Sequence, residues 1–443
     1  MSGCKGGVFL FIITFEGNLN GNNNSHHNKM NTVISLDMLQ SAGVGALALV
    51  TGMIMTKKIR LLQRFCIPSP VSGGLLFSVL TLLVYSLFNV ELEFDATLQN
   101  VFMLAFYTSV GFQSDPKVLK KGGRPLVVMV ILLILLMSLQ NLLPVSIAKA
   151  FGVDPLIGMA AGSISMAGGH GTAGGFSPLL QSMGFESALT ASMACATFGL
   201  IAGSMLGGPL ASQLIRKRLK ERANQSAPEI NPAMAGIESD EASPAGRAER
   251  LSSSEIEFQR YARATYAILI VMALGVVMSN LLQKTGITFP TYFGALLTAA
   301  CARVIIDATP GRKYLEMEKI VSVGNISLSV FLGMAMISLK LWELESLAMP
   351  LVVMLFSQVI LMALFVWFIA FPLLGKDYDS AVLCAGMCGF GLGATPNAMA
   401  NMSAVCYKYY YTVKPFLIVP IVGAMFVDML NTGIITAFLN WLQ

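Results

Sequence analysis

The sequence predicts an all-α polytopic membrane protein with ten transmembrane helices, arranged as two inverted-topology repeats of five spans, each with a re-entrant hairpin. Hydrophobic residues make up 55% of the 443 residues and charged residues only 12%, roughly half the charge of a soluble domain. Apolar runs of about 18 residues or more recur along the chain, and a helix of that length crosses a bilayer. Two glycine-rich stretches interrupt these runs, one in each half of the chain.

The basic residues lie mainly between the apolar runs. Because basic loops face the cytoplasm, their positions predict the topology. Both termini are then outside, in the periplasm, and the central linker is cytoplasmic. The net charge of +5 reflects these loops and does not indicate a nucleic-acid partner. The seven cysteines show no zinc-ligand spacing beside a histidine, so no metal site is expected.

The chain divides into four predicted segments. The first, residues 1–32, is rich in asparagine and carries His26 and His27, which favours a disordered polar tail over a metal site. Met30 is a candidate for the true start of the protein. The segments are an N-terminal extension (1–32), an N-terminal membrane repeat (33–215), a cytoplasmic linker (216–263) and a C-terminal membrane repeat (264–443). The predicted spans are about 36–56, 67–88, 98–112, 125–148, 189–214, 264–282, 289–306, 320–339, 349–373 and 415–439.

Two segments, about 155–184 and 380–402, are each predicted to enter and leave the membrane by the same face. If either crossed fully, the basic residues that follow it would lie on the wrong side. The offset that aligns Pro70 with Pro290 also aligns Gly169-His170-Gly171 with Gly389-Phe390-Gly391, which indicates an internal repeat. Inverted repeats with interrupted segments at matching places are typical of secondary transporters and point to their binding site.

Each hairpin is expected to present a helix N-terminus at its tip. Unpaired N–H groups and a partial positive charge there suit a substrate carboxylate, and glycine lets a ligand approach bare backbone. The alternative is that the glycines only allow tight helix packing. The candidate substrate contacts are Ser165, Gly168, Gly169, His170, Gly171 and Thr172 in the first hairpin and Gly389, Phe390, Gly391, Gly393, Thr395 and Asn397 in the second.

Asp428 is the most informative single residue because it lies near the middle of the last predicted span. A carboxylate at that depth is costly unless it is compensated, which indicates function. With neighbouring amides it makes an oxygen site for a hard cation such as sodium. A proton-carrying Asp and an Asp hydrogen-bonded to another helix are the alternatives, and the amides alternatively join helices. The candidate sodium ligands are Asp428, Asn431, Gln140, Asn141 and Gln358.

Five strings closely resemble the bacterial sodium/glutamate symporter family: GSISMAGGHGTAGGFSP, MACATFGL, GNISLSVFLGMAMISLKLWEL, GFGLGATPNAMANM and VPIVGAMFVDMLN. The resemblance covers about residues 33–443, with the linker matching only as a variable region. It implies sodium-coupled uptake of glutamate across the inner membrane, an elevator-like movement of a core domain and a homodimer formed through a scaffold domain. It also implies that the hairpin tips Gly168–Thr172 and Gly389–Thr395 contact substrate or cation, whereas the sodium role of Asp428 is inferred from its burial.

Three alternatives to a glutamate symporter remain at this stage. Glycines and backbone dipoles do not select one side chain, so a symporter of another organic anion, citrate or a dicarboxylate, is the nearest. A channel or cation/proton exchanger is disfavoured because the chain has no filter repeat and only one mid-membrane acid. An intramembrane hydrolase lacks a Gly-x-Ser-x-Gly elbow to accompany His170, so no enzyme activity is expected. No cofactor is expected beyond Na⁺ as the coupling ion, and the partners are glutamate, Na⁺ and the lipid bilayer.

Overall fold

Helices account for almost all of the described structure. The computed structural model describes residues 32–114, 116–218, 246–286, 289–309 and 315–443. The predicted extension 1–32, apart from Thr32, and residues 219–245 of the predicted linker lie outside them. The helices are α1 (Met38–Lys58), α2 (Arg60–Arg64), α3 (Ser69–Phe88), α4 (Thr97–Phe112), α5 (Pro116–Ala150), α6 (Pro155–Ala160), α7 (Gly169–Ser182), α8 (Ala188–Arg218), α9 (Gly246–Gln283), α10 (Phe293–Ala308), α11 (Met317–Ile337), α12 (Ala348–Phe365), α13 (Phe371–Leu374), α14 (Tyr378–Leu392), α15 (Thr395–Lys408), α16 (Lys414–Ile421) and α17 (Val427–Leu442).

Two short strands depart from the all-α prediction. Strand β1 (Thr32–Leu36) pairs in parallel with β2 (Val90–Phe94). The acidic residues Glu91 and Glu93 suggest a loop in the sequence, but apolar and acidic residues alternate through this segment, as in a half-exposed strand. Its partner precedes α1, so the pairing depends on the folding of α1 and α3 between the strands.

Seven described helices are long and apolar enough to cross a membrane. They are Met38–Lys58, Ser69–Phe88, Gly123–Ala150, Ala188–Lys217, Glu257–Gln283, Met317–Ile337 and Ala348–Leu374. Three predicted spans are not among them. Helices α4 and α10 have 16 residues each, and a π-helical segment (Val422–Phe426) separates α16 from α17 in the last span. A total of ten spans therefore stays a prediction.

The helices pack as two groups. The first helical group contains α1, α3, α4, α9, α10 and α11, and the second contains α5 to α8 and α12 to α17. Each half of the chain supplies three helices to the first group and then passes into the second. Within the first group, α1 and α3 lie so close together that a Cβ on Gly73 would collide with the carbonyl oxygen of Ala48. Small residues such as glycine permit this close approach.

Both glycine-rich stretches are broken helices, as their composition predicts. In the first, α6 ends at Ala160, the chain turns, and α7 begins at Gly169. In the second, α14 ends at Leu392 and α15 begins at Thr395. The two aligned triplets take different places, because Gly169-His170-Gly171 begins an outgoing helix whereas Gly389-Phe390-Gly391 ends an incoming one. Entry and exit of each hairpin by one membrane face stays a prediction.

Candidate functional site

The tips of the two broken helices meet. A Cβ on Gly169 would lie 2.7 Å from the carbonyl oxygen of Gly393, and Gly169 has a φ of +59°, which L residues with side chains rarely adopt. The contact joins the N-terminus of α7 to the two-residue break before α15. The starts of two helices therefore lie at one junction, and a helix N-terminus carries a partial positive charge. We call this contact the tip junction.

Asp428 lies beside the tip junction. It falls in the first turn of α17, directly after the π-helical segment, and such π-bulges are frequent at functional sites. Its Oδ1 is 3.5 Å from the Thr172 Oγ1 in α7. Asn431, one turn further along, donates from Nδ2 to the carbonyl oxygen of Ser163 at 2.9 Å. A Cβ on Gly168 would approach that amide to 2.8 Å, so the first hairpin and α17 are in direct contact.

The second hairpin contacts the same helix segment. A Cβ on Gly423, within the π-helical segment, would collide with the Thr395 side chain. Asn397 is fully buried and donates from Nδ2 to the carbonyl oxygen of Leu200 at 2.8 Å. The first residues of α15 are therefore held between the last helix and α8.

Three amides hold the hairpin backbones to α5 and α12 and make no hydrogen bond to Asp428. Gln140 donates to the carbonyl oxygen of Gly391 at 2.7 Å. Gln358 donates to the carbonyl oxygens of Gln140 at 2.7 Å and Ala161 at 3.1 Å. Asn141 accepts from the N–H of Ser163 at 2.8 Å. Their polar groups thus replace backbone partners that the breaks in the helices leave unpaired.

Five of the predicted substrate contacts are occupied with packing. The Ser165 hydroxyl bonds the carbonyl oxygens of Ala160 and Ser192, and His170 Nε2 lies 3.0 Å from Thr197 Oγ1 in α8. A Cβ on Gly171 would meet Phe106 at 3.4 Å, and one on Gly389 would collide with the backbone of α15. Phe390 is 1% exposed in the hydrophobic core. The structure therefore brings Gly168, Gly169, Thr172, Gly393 and Thr395 together around the tip junction and Asp428.

Buried oxygens without a hydrogen-bond partner among the described residues surround the hairpins. Gln140, Gln358, Asn397 and Asn431 each use the amide nitrogen in a hydrogen bond and leave the oxygen unpaired. Buried polar atoms are nearly always satisfied in native proteins, and oxygen is the ligand of hard cations. In Asn141 the assignment is reversed, since its oxygen is bonded and its nitrogen is unpaired.

Sequence reasoning missed two tyrosines and a threonine next to Asp428. Tyr107 and Tyr292 are fully buried and stack with ring centroids 3.7 Å apart. The Tyr292 hydroxyl is 3.4 Å from Thr432 Oγ1, which donates to the carbonyl oxygen of Asp428 at 2.7 Å. Tyr292 lies inside the motif from Pro290 to Gly294 that aligns the two halves, so a signal was present there. Tyr107 lies in an apolar run that carries no motif.

Comparison with known proteins agrees with the resemblance in the sequence. A family model described as sodium/glutamate symporter matches residues 34–411. The sodium/glutamate symporter of Escherichia coli (strain K12) is 37% identical over 406 residues, which cover 91% of this chain and 98% of that protein. The protein of the same name from Haemophilus influenzae is 36% identical over 399 residues, which cover 89% and 95%.

Among solved structures, a sodium proton antiporter from Methanocaldococcus jannaschii covers 91% of this chain and 98% of its own, with 15% identity and a TM-score of 0.41, which is too distant to inform the fold or the function. The family match ends before Asp428 and Asn431, so their role rests on the geometry described above. The resemblance is confirmed by the family match and by the identity along almost the whole chain: this protein belongs to the sodium/glutamate symporter family.

Proposed function

We propose that this protein is a secondary active transporter of the bacterial inner membrane that carries glutamate into the cell together with sodium. The observation that supports this most directly is the tip junction, where two helix N-termini meet beside the half-buried carboxylate of Asp428. The arrangement offers sites of opposite charge within one region of the fold. Family membership and the similarity to sodium/glutamate symporters support glutamate as the substrate and sodium as the coupling ion.

The substrate carboxylates bind at the N-termini of α7 and α15 in this proposal. Gly169 places bare backbone at the first residue of α7, and Thr172 and Thr395 add hydroxyls. Gly168 and Gly393 shape the two tips, and their N–H groups donate to the carbonyl oxygens of Ser163 and Gly389. A helix N-terminus favours an anion through its unpaired donors and its dipole. We retain Gly391 and Asn397 as supports of the second tip, through the hydrogen bonds of Gly391 to Gln140 and of Asn397 to Leu200.

Sodium binds close to Asp428 in this proposal. Asn431 lies on the same face of α17, and the unpaired oxygens of Gln140 and Gln358 are further candidate ligands. Asp428 also distinguishes between substrate classes. Its negative charge favours a ligand with an ammonium group, which glutamate has and which citrate and simple dicarboxylates lack, because a like charge nearby costs binding energy.

The remaining architecture is proposed from the sequence and the resemblance. The membrane repeats at 33–215 and 264–443 are inverted, both hairpins are re-entrant, the linker at 216–263 is cytoplasmic and both termini are periplasmic. The second helical group moves elevator-like against the first, and two copies associate through the first group. Labelling of Lys408→Cys in oriented membranes tests the topology: reaction from the cytoplasmic face is expected, and reaction only from the periplasmic face would contradict it.

Uptake of radiolabelled glutamate into proteoliposomes tests the function. The sodium gradient and the proton gradient are imposed separately, and unlabelled glutamate, citrate and a four-carbon dicarboxylate compete. We expect uptake to follow the sodium gradient and only glutamate to compete. Uptake driven by protons alone would remove the sodium assignment, and competition by citrate with no glutamate uptake would identify a different substrate.

A further inference from the structure

A pair of tyrosines from the first helical group packs on α7 of the second. Tyr107 and Tyr292 are fully buried, and their ring planes lie within 10° of each other. A Cβ on Gly175 would lie 2.6 Å from Tyr292 Cε1 and 3.1 Å from the Tyr107 hydroxyl. Phe176 meets the Tyr292 ring edge-on with centroids 5.8 Å apart. The stack is therefore a tight contact between the two groups.

A cleft of about 420 Å³ lies between the groups beside this stack. Its volume is within the range of about 300–1,000 Å³ that ligand pockets occupy. Gly175 lines the cleft and also contacts Tyr292, and Thr291, the residue before Tyr292, lines the other wall. The tyrosine stack thus borders the cleft. Pro178 and Leu179 of α7 and Phe289 and Pro290 on the opposite wall also line the cleft.

The hydroxyl end of the stack approaches Asp428. The Tyr292 hydroxyl lies 3.4 Å from Thr432 Oγ1, and the Thr432 hydroxyl donates to the backbone carbonyl oxygen of Asp428 at 2.7 Å. The Tyr292 ring therefore contacts the cleft lining along one edge and the helix that carries Asp428 with its hydroxyl. The Tyr292 ring thus lies between Gly175, which lines the cleft, and Thr432 on the helix that carries Asp428, and Tyr107 stacks on it.

We propose that the Tyr107–Tyr292 stack is the gate between this cleft and the Asp428 site, through which sodium and an acidic amino acid pass. This inference rests on the proposed function. While the rings are stacked the path is closed, and displacement of α7 from the first group, or rotation of the Tyr292 ring, opens it. The two tyrosines are positioning residues: they control access and do not supply the charge that binds the ion.

Chemical labelling in detergent tests the gate without requiring transport. Thr432→Cys places a thiol on the Asp428 side of the stack, and a negatively charged methanethiosulfonate reagent reports its accessibility, with peptide mass spectrometry to read position 432 alone. We expect Tyr292→Ala or Tyr107→Ala to raise the labelling rate about tenfold or more, since a minor open state populated at about 10% or less becomes dominant. Tyr292→Phe keeps the ring and is expected to label at the rate of the parent Thr432→Cys protein.

Phe331→Ala is the matched control. Phe331 is fully buried, belongs to the first group and packs on the neighbouring Gly174 of α7, but it does not line the cleft. Equal labelling of the Tyr292→Ala and parent proteins, or an equal rise with Phe331→Ala, would overturn the gate. Gel filtration identifies variants that have not folded. If only one of Tyr292→Ala and Tyr107→Ala folds, its labelling rate alone tests the gate. Absence of glutamate uptake by the unsubstituted protein would overturn the proposed function and leave the labelling result standing.

Discussion

Gly169→Ala is the sharpest test of the tip junction. An L residue forced into the left-handed region costs about 1–2 kcal/mol. The new Cβ would also lie 2.7 Å from the Gly393 carbonyl oxygen, a backbone atom that cannot rotate away, and overpacking of this kind costs about 1–3 kcal/mol. The sum of about 2–5 kcal/mol corresponds to a loss of roughly 30-fold or more in the population of the joined arrangement.

Gly171→Ala is the matched control, two residues along the same helix. A Cβ there would meet only Phe106 and Leu328 side-chain carbons at 3.4 Å and beyond, and Ala is favoured over Gly by about 1 kcal/mol in a helix interior. We therefore expect Gly171→Ala to transport within a factor of about five of the wild-type rate.

The assay is sodium-driven glutamate uptake into proteoliposomes that contain equal amounts of monodisperse protein. Uptake by Gly169→Ala is expected to fall at least about 30-fold, while Gly171→Ala stays active. Equal rates for the two variants would show that the Gly169–Gly393 contact is not needed during transport. That result would refute the placement of the site at this junction.

Three further predictions follow from the described contacts. Asp428→Asn is expected to lower glutamate uptake at least about tenfold and to change the dependence of uptake on sodium concentration. Asp377→Asn, at the N-cap of α14, is the control and is expected to leave both unchanged, because Asn caps a helix as well as Asp does. An unaltered sodium dependence in Asp428→Asn would exclude a sodium role for Asp428. Gln358→Leu leaves the carbonyl oxygens of Gln140 and Ala161 without this donor, at a cost of about 1–3 kcal/mol each, so the Tm in detergent should drop clearly. An unchanged Tm would contradict the role of Gln358 in holding the first hairpin to α5 and α12. Burial raises the pKa of Glu343 above its ordinary 4.5, with the charge of Lys340 opposing the rise. The folded state therefore holds the Glu343 proton more tightly than the unfolded state. Stability is lost as the pH rises from the ordinary pKa of 4.5 through the raised pKa of the folded state. Glu343→Gln should gain stability relative to wild type between pH 4.5 and neutrality and match it at lower pH; a pH-independent difference in thermal stability would contradict the prediction.

Hydropathy and charge predict much of this protein because they act locally. Seven of the ten predicted spans match helices that are long and apolar enough to cross a membrane, since twenty apolar residues need no partner to favour a bilayer. The breaks at Gly169 and Gly393 also follow from composition, because glycine weakens a helix wherever it lies. The family match then confirms the family that the motif strings resemble.

The constant offset that aligns the two halves of the sequence does not predict which glycines meet at the tip junction. Gly389 and Gly169 align in the sequence, yet Gly389 packs inside the second hairpin while Gly169 touches Gly393. The offset misses this because α14 is longer than α6, so the second break comes later along the chain. Helix α14 also packs along α8, and a motif comparison does not include contacts of this kind.

The sequence by itself determined the membrane character, the two glycine-rich interruptions and Asp428 as an acid within an apolar helix, because each depends on residue type along a continuous segment. Only the tertiary structure decided which glycines join the tips, which amides keep an unpaired oxygen, and that Tyr107 stacks on Tyr292 beside Asp428. These outcomes depend on distances between segments far apart in the chain. Such distances arise when the two helical groups pack, and they leave no local pattern in the residues that make the contact.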